Sequence, residues 1–371
     1  MKIRILGIRG VPAAHGGFET FAEHLCHHLV GIGWNPVVYC QEDGSGEMWT
    51  DEWMGIERVH IPVSNPGPLG TIIFDWKSMR HAAKERDPCL VLGYNTAVFL
   101  FLLRIRSIPN AINMDGIEWA RAKWGPIAKL WFWLNDWAGC WLGKHLVADH
   151  PQISKHLSSR VSTKKITMIP YGAVPVRSAD PSLLERWQLE QGRFLTVIAR
   201  PEPENSLLEI VQGFSKQRRG VKLVVLGNYD RSNAYQKLVL ESGSDEVVFT
   251  GAIYEKPVVE SLRFHSLAYV HGHRVGGTNP SLVEALGAGN AVFAHDNRFN
   301  RWVAGDGAQY FSDADTFSAL LDEVLSDGAE LKKMASASLL RFESEFTWPI
   351  VLRKYESLLR EISESQSAQA P

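Results

Sequence analysis

Short apolar runs alternating with helical stretches, twice over, constrain this 371-residue chain more than any other feature. "IRILGI" reads as a buried strand; a glycine-rich loop follows, then a helix from Phe18 to about Gly31, then the strand "PVVYC". "CLVLGY", "AINMDG" and "HLVADH" continue the series, separated by helical stretches. The pattern turns at "KITMIPYG", and the Pro, Ser and Asp content of "VPVRSADPSLLERW" reads as a linker. Then it restarts with "FLTVIAR", a helix near Leu207–Phe214, "KLVVLG", "VVFTG", "LAYVHG", a helix after Asn279 and "NAVFAHD". Strands alternating with helices specify parallel sheets. The expected architecture is α/β: two Rossmann-like, doubly wound domains facing a central cleft, where open sheets bind ligands at their strand ends. The boundaries fall at residues 1–175, 176–345 and 346–371. The last is a periodic helix, "FTWPIVLRKYESLLREI", expected to pack back toward the N-terminal domain, with a frayed tail, "SESQSAQAP".

Composition narrows the function. A net charge of −2 gives no reason to expect nucleic acid as a partner. The four cysteines are scattered without a Cys-x-x-Cys pair, which fits reduced thiols of a cytoplasmic protein and neither a disulfide nor a zinc framework. "MKIRILGIRG" is too short and too polar for a signal peptide, and no run reaches the ~18 apolar residues of a membrane span.

Candidate chemistry sits in the strand-end loops. "GIRGVPAAHGGFET" opens a helix at Gly16-Gly17, where unpaired backbone N–H groups suit an anion. It is a poor dinucleotide fingerprint: the Gly-x-Gly-x-x-Gly spacing is absent, Pro12 and His15 interrupt it, and Glu42 and Asp43 come too late. A plain glycine turn is the competing reading. "INMDGIEWARAKW" places Asp115 and Glu118 after a strand as catalytic candidates, although Glu118 and Arg121 also form an ordinary i,i+3 helix pair. Arg200 in "VIARPEPEN" is a phosphate-binding fork or the partner of Glu202 or Glu204. In "HGHRVGGTNPSLVEALGAG", Asn279-Pro280-Ser281 is a helix start able to hold a diphosphate, and Glu284 can accept from two vicinal hydroxyls of a ribose. His271 and His273 lack further metal ligands nearby, so no metal is expected, and a hydrogen-bonded strand histidine is the simpler reading.

Together these loops resemble the retaining GT-B glycosyltransferases of the large fourth sequence family. "GGTNPSLVEA" lies over that family's Glu-Gly-Phe-Gly-x-x-x-x-Glu-Ala pattern. The resemblance implies that Glu284 binds the donor ribose, that Thr278 and Asn279 hold the diphosphate and sugar with their amides, and that Arg200 binds phosphate. Gly16 and Gly17 match the family's N-terminal double glycine. Two departures occur: Gly276 stands where the first glutamate belongs, and Asn205 replaces the lysine partner of Arg200. "RGVPAAHGGFETFAE", "MDGIEW" and "HGHRVGGTNPSLVEA" are similar to a bacterial branch that includes rhamnosyltransferases of cell-surface polysaccharide assembly. The resemblance implies an N-terminal acceptor domain and a C-terminal donor domain. The donor is dTDP-L-rhamnose or another nucleotide sugar, contacted by Gly16, Gly17, Arg200, Asn205, His273, Gly277, Thr278, Asn279, Pro280, Ser281 and Glu284. The acceptor is a lipid-diphosphate-linked saccharide. Substitution proceeds with retention and without metal or other cofactor, Asp115 orienting the acceptor or taking its proton.

Thirteen tryptophans need a reason. In "KWGPIAKLWFWLNDWAGCWLG", Ile127, Leu130, Trp131, Leu134, Trp137 and Trp141 form a helical stripe expected to be core. Phe132 and Trp133 fall off it beside Lys129 and are expected to be exposed, as at a membrane interface. The protein is thus expected in the cytoplasm, peripheral at the inner face of the membrane. Two other classes stay open: a nucleotide-sugar epimerase on the same fold, and a non-catalytic nucleotide-sugar-binding protein.

Overall fold

The computed structural model describes residues 1–14 and 16–367, so His15 of the first glycine loop and the last four residues of the "SESQSAQAP" tail lie outside it. The chain forms two compact units, Met1–Tyr171 with Trp348–Pro371, and Gly172–Thr347.

The first unit is built on eight strands: β1 (Lys2–Leu6), β2 (Asn35–Asp43), β3 (Trp49–Trp53), β4 (Ile56–Val63), β5 (Cys89–Leu92), β6 (Asn110–Asn113), β7 (His145–Ala148) and β8 (Ile166–Met168). Their order is β3-β4-β2-β1-β5-β6-β7-β8. All neighbours are parallel except β3 and β4, an antiparallel edge pair. Helices α1 (Gly17–Gly31), α2 (Gly67–Glu85), α3 (Phe101–Ile105), α4 (Pro126–Leu142) and α5 (Pro151–Ser158) connect them. β1, β2 and β5 are buried along most of their length because helices cover both faces. β3 and β4 carry no clean apolar pattern in the sequence because charged residues interrupt them. Arg58 grips Asp51 with two bonds of 2.8 and 2.5 Å, and His60 meets Glu42 at 2.6 Å, so the charges are neutralised across strands.

The second unit holds β9 (Phe194–Ile198), β10 (Lys222–Leu226), β11 (Val247–Gly251), β12 (Ala268–His271), β13 (Ala291–His295) and β14 (Gln309–Phe311), all parallel in the order β11-β10-β9-β12-β13-β14. Around them run α6 (Leu207–Ser215), α7 (Ala234–Glu241), α8 (Lys256–Phe264), α9 (Pro280–Gly287), α10 (Arg298–Ala304), α11 (Ala314–Val324) and α12 (Gly328–Glu345). The expected linker is part of this unit. Pro181–Trp187 forms a 3-10 helix capped by Asp180, and Leu184 is buried with Phe194 and Leu226. The last helix, α13 (Trp348–Ser367), packs on α1 of the first unit, with the Phe21 and Tyr355 rings 4.5 Å apart and Trp348 stacked on His24 at 4.5 Å.

Helix α4 inverts the expectation. Its buried residues are Asn135, Asp136, Gly139 and Cys140. Four of the six residues expected in the core face outward, with Ile127 87%, Leu130 57%, Leu134 50% and Trp141 61% exposed, while Trp131 and Trp137 are half-buried. The polar side goes in because it has partners there. Asp136 accepts from Trp119 Nε1 at 2.7 Å and pairs with Arg160 at 2.7 Å, and Asn135 accepts from the Val98 amide at 3.0 Å. Phe132 is half-buried against Trp124, 5.1 Å between rings, whereas Trp133 is exposed as expected. Among the described residues no helix is long and apolar enough to cross a membrane.

Candidate functional site

In the second unit the chemistry gathers where β12 gives way to α9. Asn279 caps that helix, its Oδ1 accepting from the Ser281 amide at 3.0 Å, and Pro280 occupies the first helical position. The next two amides of the first turn, Leu282 and Val283, both bond the Asn279 carbonyl, at 3.1 and 3.2 Å, so what this helix start offers an anion is the positive end of its dipole. Ser281 Oγ is held by Tyr269 at 2.8 Å and accepts from Arg263 at 3.0 Å. The same guanidinium meets Glu284 at 2.6 Å, while Asn290 donates to the Arg263 carbonyl at 2.8 Å. Glu284 keeps part of its carboxylate exposed, whereas Arg263 is buried behind it.

The loop between them is pinned from behind. Asn297 and Asn300 on the α10 side both donate to the His273 carbonyl, at 3.0 and 2.8 Å, and Arg274 Nε donates to Ser206 Oγ at 2.7 Å. Thr278 is buried, and Gly277 is half-buried. Gly276 has φ +134°, a conformation that side-chain-bearing residues rarely adopt, although a Cβ there would meet nothing within 4 Å. Backbone conformation, not lack of room, is what excludes a glutamate at this position. His273 stacks on His271 with ring centroids 4.4 Å apart. The expectation of a hydrogen-bonded strand histidine does not hold for His271: it is buried with neither ring nitrogen bonded, and burial drives its pKa well below the ordinary value, so it is neutral.

Arg200 leaves the end of β9 exposed to solvent and lines a cavity of about 450 Å³ with Ile198, Leu226, Gly227, Ile253 and Tyr254, at the ends of β9, β10 and β11. Asn205, expected to contact the donor, is instead buried, its Nδ2 donating to the Arg200 carbonyl at 2.8 Å. It supports the turn that presents the arginine and has little left to offer a phosphate.

In the first unit, α1 starts at Gly17 with Gly16 as its cap. Glutamates of this helix fasten the preceding loop: Glu19 accepts from the Arg9 amide at 3.3 Å, and Glu23 from the Ala13 amide at 2.6 Å. Two earlier glycines of this loop are the ones that resist replacement: Gly7, at φ +85°, where a Cβ would lie 2.2 Å from the Leu92 carbonyl oxygen, and Gly10, at φ +136°, where it would lie 2.8 Å from Cys40 Sγ. Gly16 is extended at φ 178°, open to any residue.

Asp115 follows β6 with φ +48°, a left-handed conformation that Asp tolerates better than most residues. Its amide donates to Asn113 Oδ1 at 2.9 Å, and Asn113 Nδ2 donates to Tyr355 Oη at 2.9 Å. Burial pushes its carboxyl up to about 6, helped by the nearby Glu118 charge and opposed by the Gly116 amide. Glu118 is engaged by Arg121 at 2.8 Å and Trp124 Nε1 at 3.0 Å, and its amide donates to Tyr94 Oη at 2.8 Å. This is the ordinary i,i+3 pair, extended by a tryptophan; Glu118 shapes the loop that carries Asp115. Arg263, Asn297, Asn300 and Asn113 escaped the sequence reading, since each acts across sequence separations that no local motif records.

Residues 1–174 match the family model described as "Domain of unknown function (DUF1972)", and residues 185–339 match "Glycosyl transferases group 1". No curated protein sequence matches the chain. Among solved structures, it is similar to a sucrose-phosphate synthase from Thermosynechococcus elongatus at 16% identity and TM-score 0.81, covering 98% of this chain and 99% of that one. An α,α-trehalose 6-phosphate synthase from Burkholderia multivorans matches at 12% identity and TM-score 0.78, covering 100% and 98%. Anabaena HepE, solved in complex with UDP, matches at 14% and 0.75, covering 97% and 100%. The chain has the GT-B fold of two Rossmann-like domains, and residues 185–339 of its second unit are similar to the group 1 glycosyltransferases.

Proposed function

We propose that this protein transfers a sugar from a nucleotide donor to an acceptor hydroxyl with retention at the anomeric carbon, and that the donor is dTDP-L-rhamnose. The observation that carries the transfer reading is the Arg263–Glu284–Ser281 cluster at the start of α9, within the stretch similar to the group 1 glycosyltransferases. Glu284 is held with carboxylate left over for a ribose, next to a helix end suited to a diphosphate. Arg200 and the positive end of the α9 dipole neutralise the leaving diphosphate in the role a divalent metal would take. The bond from the anomeric carbon to the diphosphate oxygen breaks, the acceptor oxygen bonds the same face, and its proton passes to Asp115, whose raised pKa suits a base near neutrality. Glu118 is assigned no chemical step.

Rhamnose is favoured because Gly276 offers no carboxylate to the sugar hydroxyls, which suits a deoxy sugar. The proposed acceptor is a lipid-diphosphate-linked saccharide of cell-surface polysaccharide assembly, which places the reaction at the inner face of the cytoplasmic membrane. A UDP-sugar is the second reading, favoured by the UDP bound to HepE and the UDP-2-fluoro glucose bound to an E. coli trehalose-6-phosphate relative. Donor competition by saturation-transfer NMR separates them: preference for UDP-glucose over dTDP-rhamnose overturns the rhamnose assignment. Release of nucleoside diphosphate only when a lipid-linked saccharide is added is expected; release without acceptor, or none with it, overturns transfer.

A further inference from the structure

We propose that the outward face of α4, with the cations around it, docks on an anionic lipid surface. The inference goes beyond the sugar-transfer reading and stands without it, because it rests on surface chemistry of the first unit alone. Exposed Ile127, Leu130, Leu134 and Trp141 lie on one side of this helix, with Trp133 beside them. Water gains nothing from such a stripe, and the same helix buries two polar residues and a glycine instead. The tryptophans form a ladder, 6.2 Å from Trp133 to Trp137 and 5.0 Å from Trp137 to Trp141. Amphipathic indoles beside cations suit the boundary between headgroups and acyl chains.

Charge decides the occupant. The whole chain is slightly acidic, yet residues 97–170 carry ten lysines and arginines against four carboxylates. None of those four, Asp115, Glu118, Asp136 and Asp149, is exposed, whereas Arg104, Arg106, Lys123, Lys144, Lys155 and Lys164 all are. Lys165 donates to the Cys140 carbonyl at 2.6 Å, fixing a further cation beside the last turn of α4. A second copy of this face would set cations against cations; a leaflet of anionic headgroups complements them and takes up the apolar side chains. The helix is not long and apolar enough to span, so the proposed contact is with the surface.

Co-sedimentation of the full chain with phosphatidylcholine vesicles, with and without phosphatidylglycerol, tests this. Wild type is expected to pellet with the phosphatidylglycerol vesicles and to be released by salt. The variant Leu130→Ser/Trp133→Ser/Trp141→Ser should bind roughly tenfold more weakly, and Arg104→Glu/Lys144→Glu should lose the preference for phosphatidylglycerol. None of these residues belongs to the candidate donor site, and an unchanged thermal unfolding profile in both variants confirms that they fold. Failure of wild type to bind phosphatidylglycerol vesicles, or undiminished binding by both variants, overturns the proposal. So does a wild-type dimer that the same serine substitutions dissociate, which would make this face an interface between copies. Vesicle binding without sugar transfer would instead count against the enzymatic reading alone.

Discussion

The buried Arg263 guanidinium meets the Glu284 carboxylate at 2.6 Å, and the same group donates to Ser281 at 3.0 Å. One arginine from α8 therefore orients both the carboxylate and the first-turn hydroxyl of α9. An ion pair of this kind is worth more as a positioning device than as stabilisation, since desolvating the arginine offsets much of the Coulomb gain. Arg263→Met is expected to weaken nucleotide-sugar binding by about 1.5–3 kcal/mol, the range for losing a hydrogen bond to a charged group. Calorimetric titration checks it, with Glu284→Gln as the direct comparison; unchanged affinity in both variants would remove Glu284 from the ribose site.

Arg200 is exposed at the end of β9, which makes it a safe substitution for folding. Arg200→Ala should lower turnover about a hundredfold or more, the loss usual for removing an electrostatic stabiliser of a leaving group. Thermal unfolding should be unchanged. A turnover within a few-fold of wild type would shift the work of neutralising the diphosphate elsewhere.

Asp115 gives a pH signature. Its folded pKa is raised to about 6, so the carboxyl keeps its proton below that pH and is a competent base only above it. The rate should therefore climb as pH rises through about 6 and level off near neutrality. Asp115→Asn should cost about 10²–10⁴-fold in turnover, leave donor affinity intact and flatten the acid limb. Retention of most activity would exclude the base role.

Tyr355 lies on α13, far along the chain from β6, yet its hydroxyl accepts from Asn113 Nδ2 at 2.9 Å, and Asn113 in turn receives the Asp115 amide. Tyr355→Phe strands a buried amide donor and should destabilise the protein by about 1–3 kcal/mol. Urea unfolding measures that, and turnover should fall with it while donor binding in the second unit is unaffected. An equal loss of donor binding would mark the effect as general unfolding.

Much of the strand and helix order was legible because periodicity is a local property. An apolar run buried on both faces of a parallel sheet looks the same in the sequence as in the fold, and so does the helix start at Asn279-Pro280-Ser281. By itself the sequence determined two α/β halves and the strand-end loops that carry the candidate chemistry. Other features depended on which partners the fold supplied. β4 was hidden because its charges are neutralised by residues on neighbouring strands, and α4 turned its polar side inward because Trp119, Arg160 and Val98 were waiting for it there. Asn205 lost its free amide to a backbone carbonyl, and Gly276 proved to be required by backbone conformation. Only the tertiary structure decided these, because a polar side chain is buried or exposed according to whether a distant residue satisfies it, and no local pattern encodes that distance.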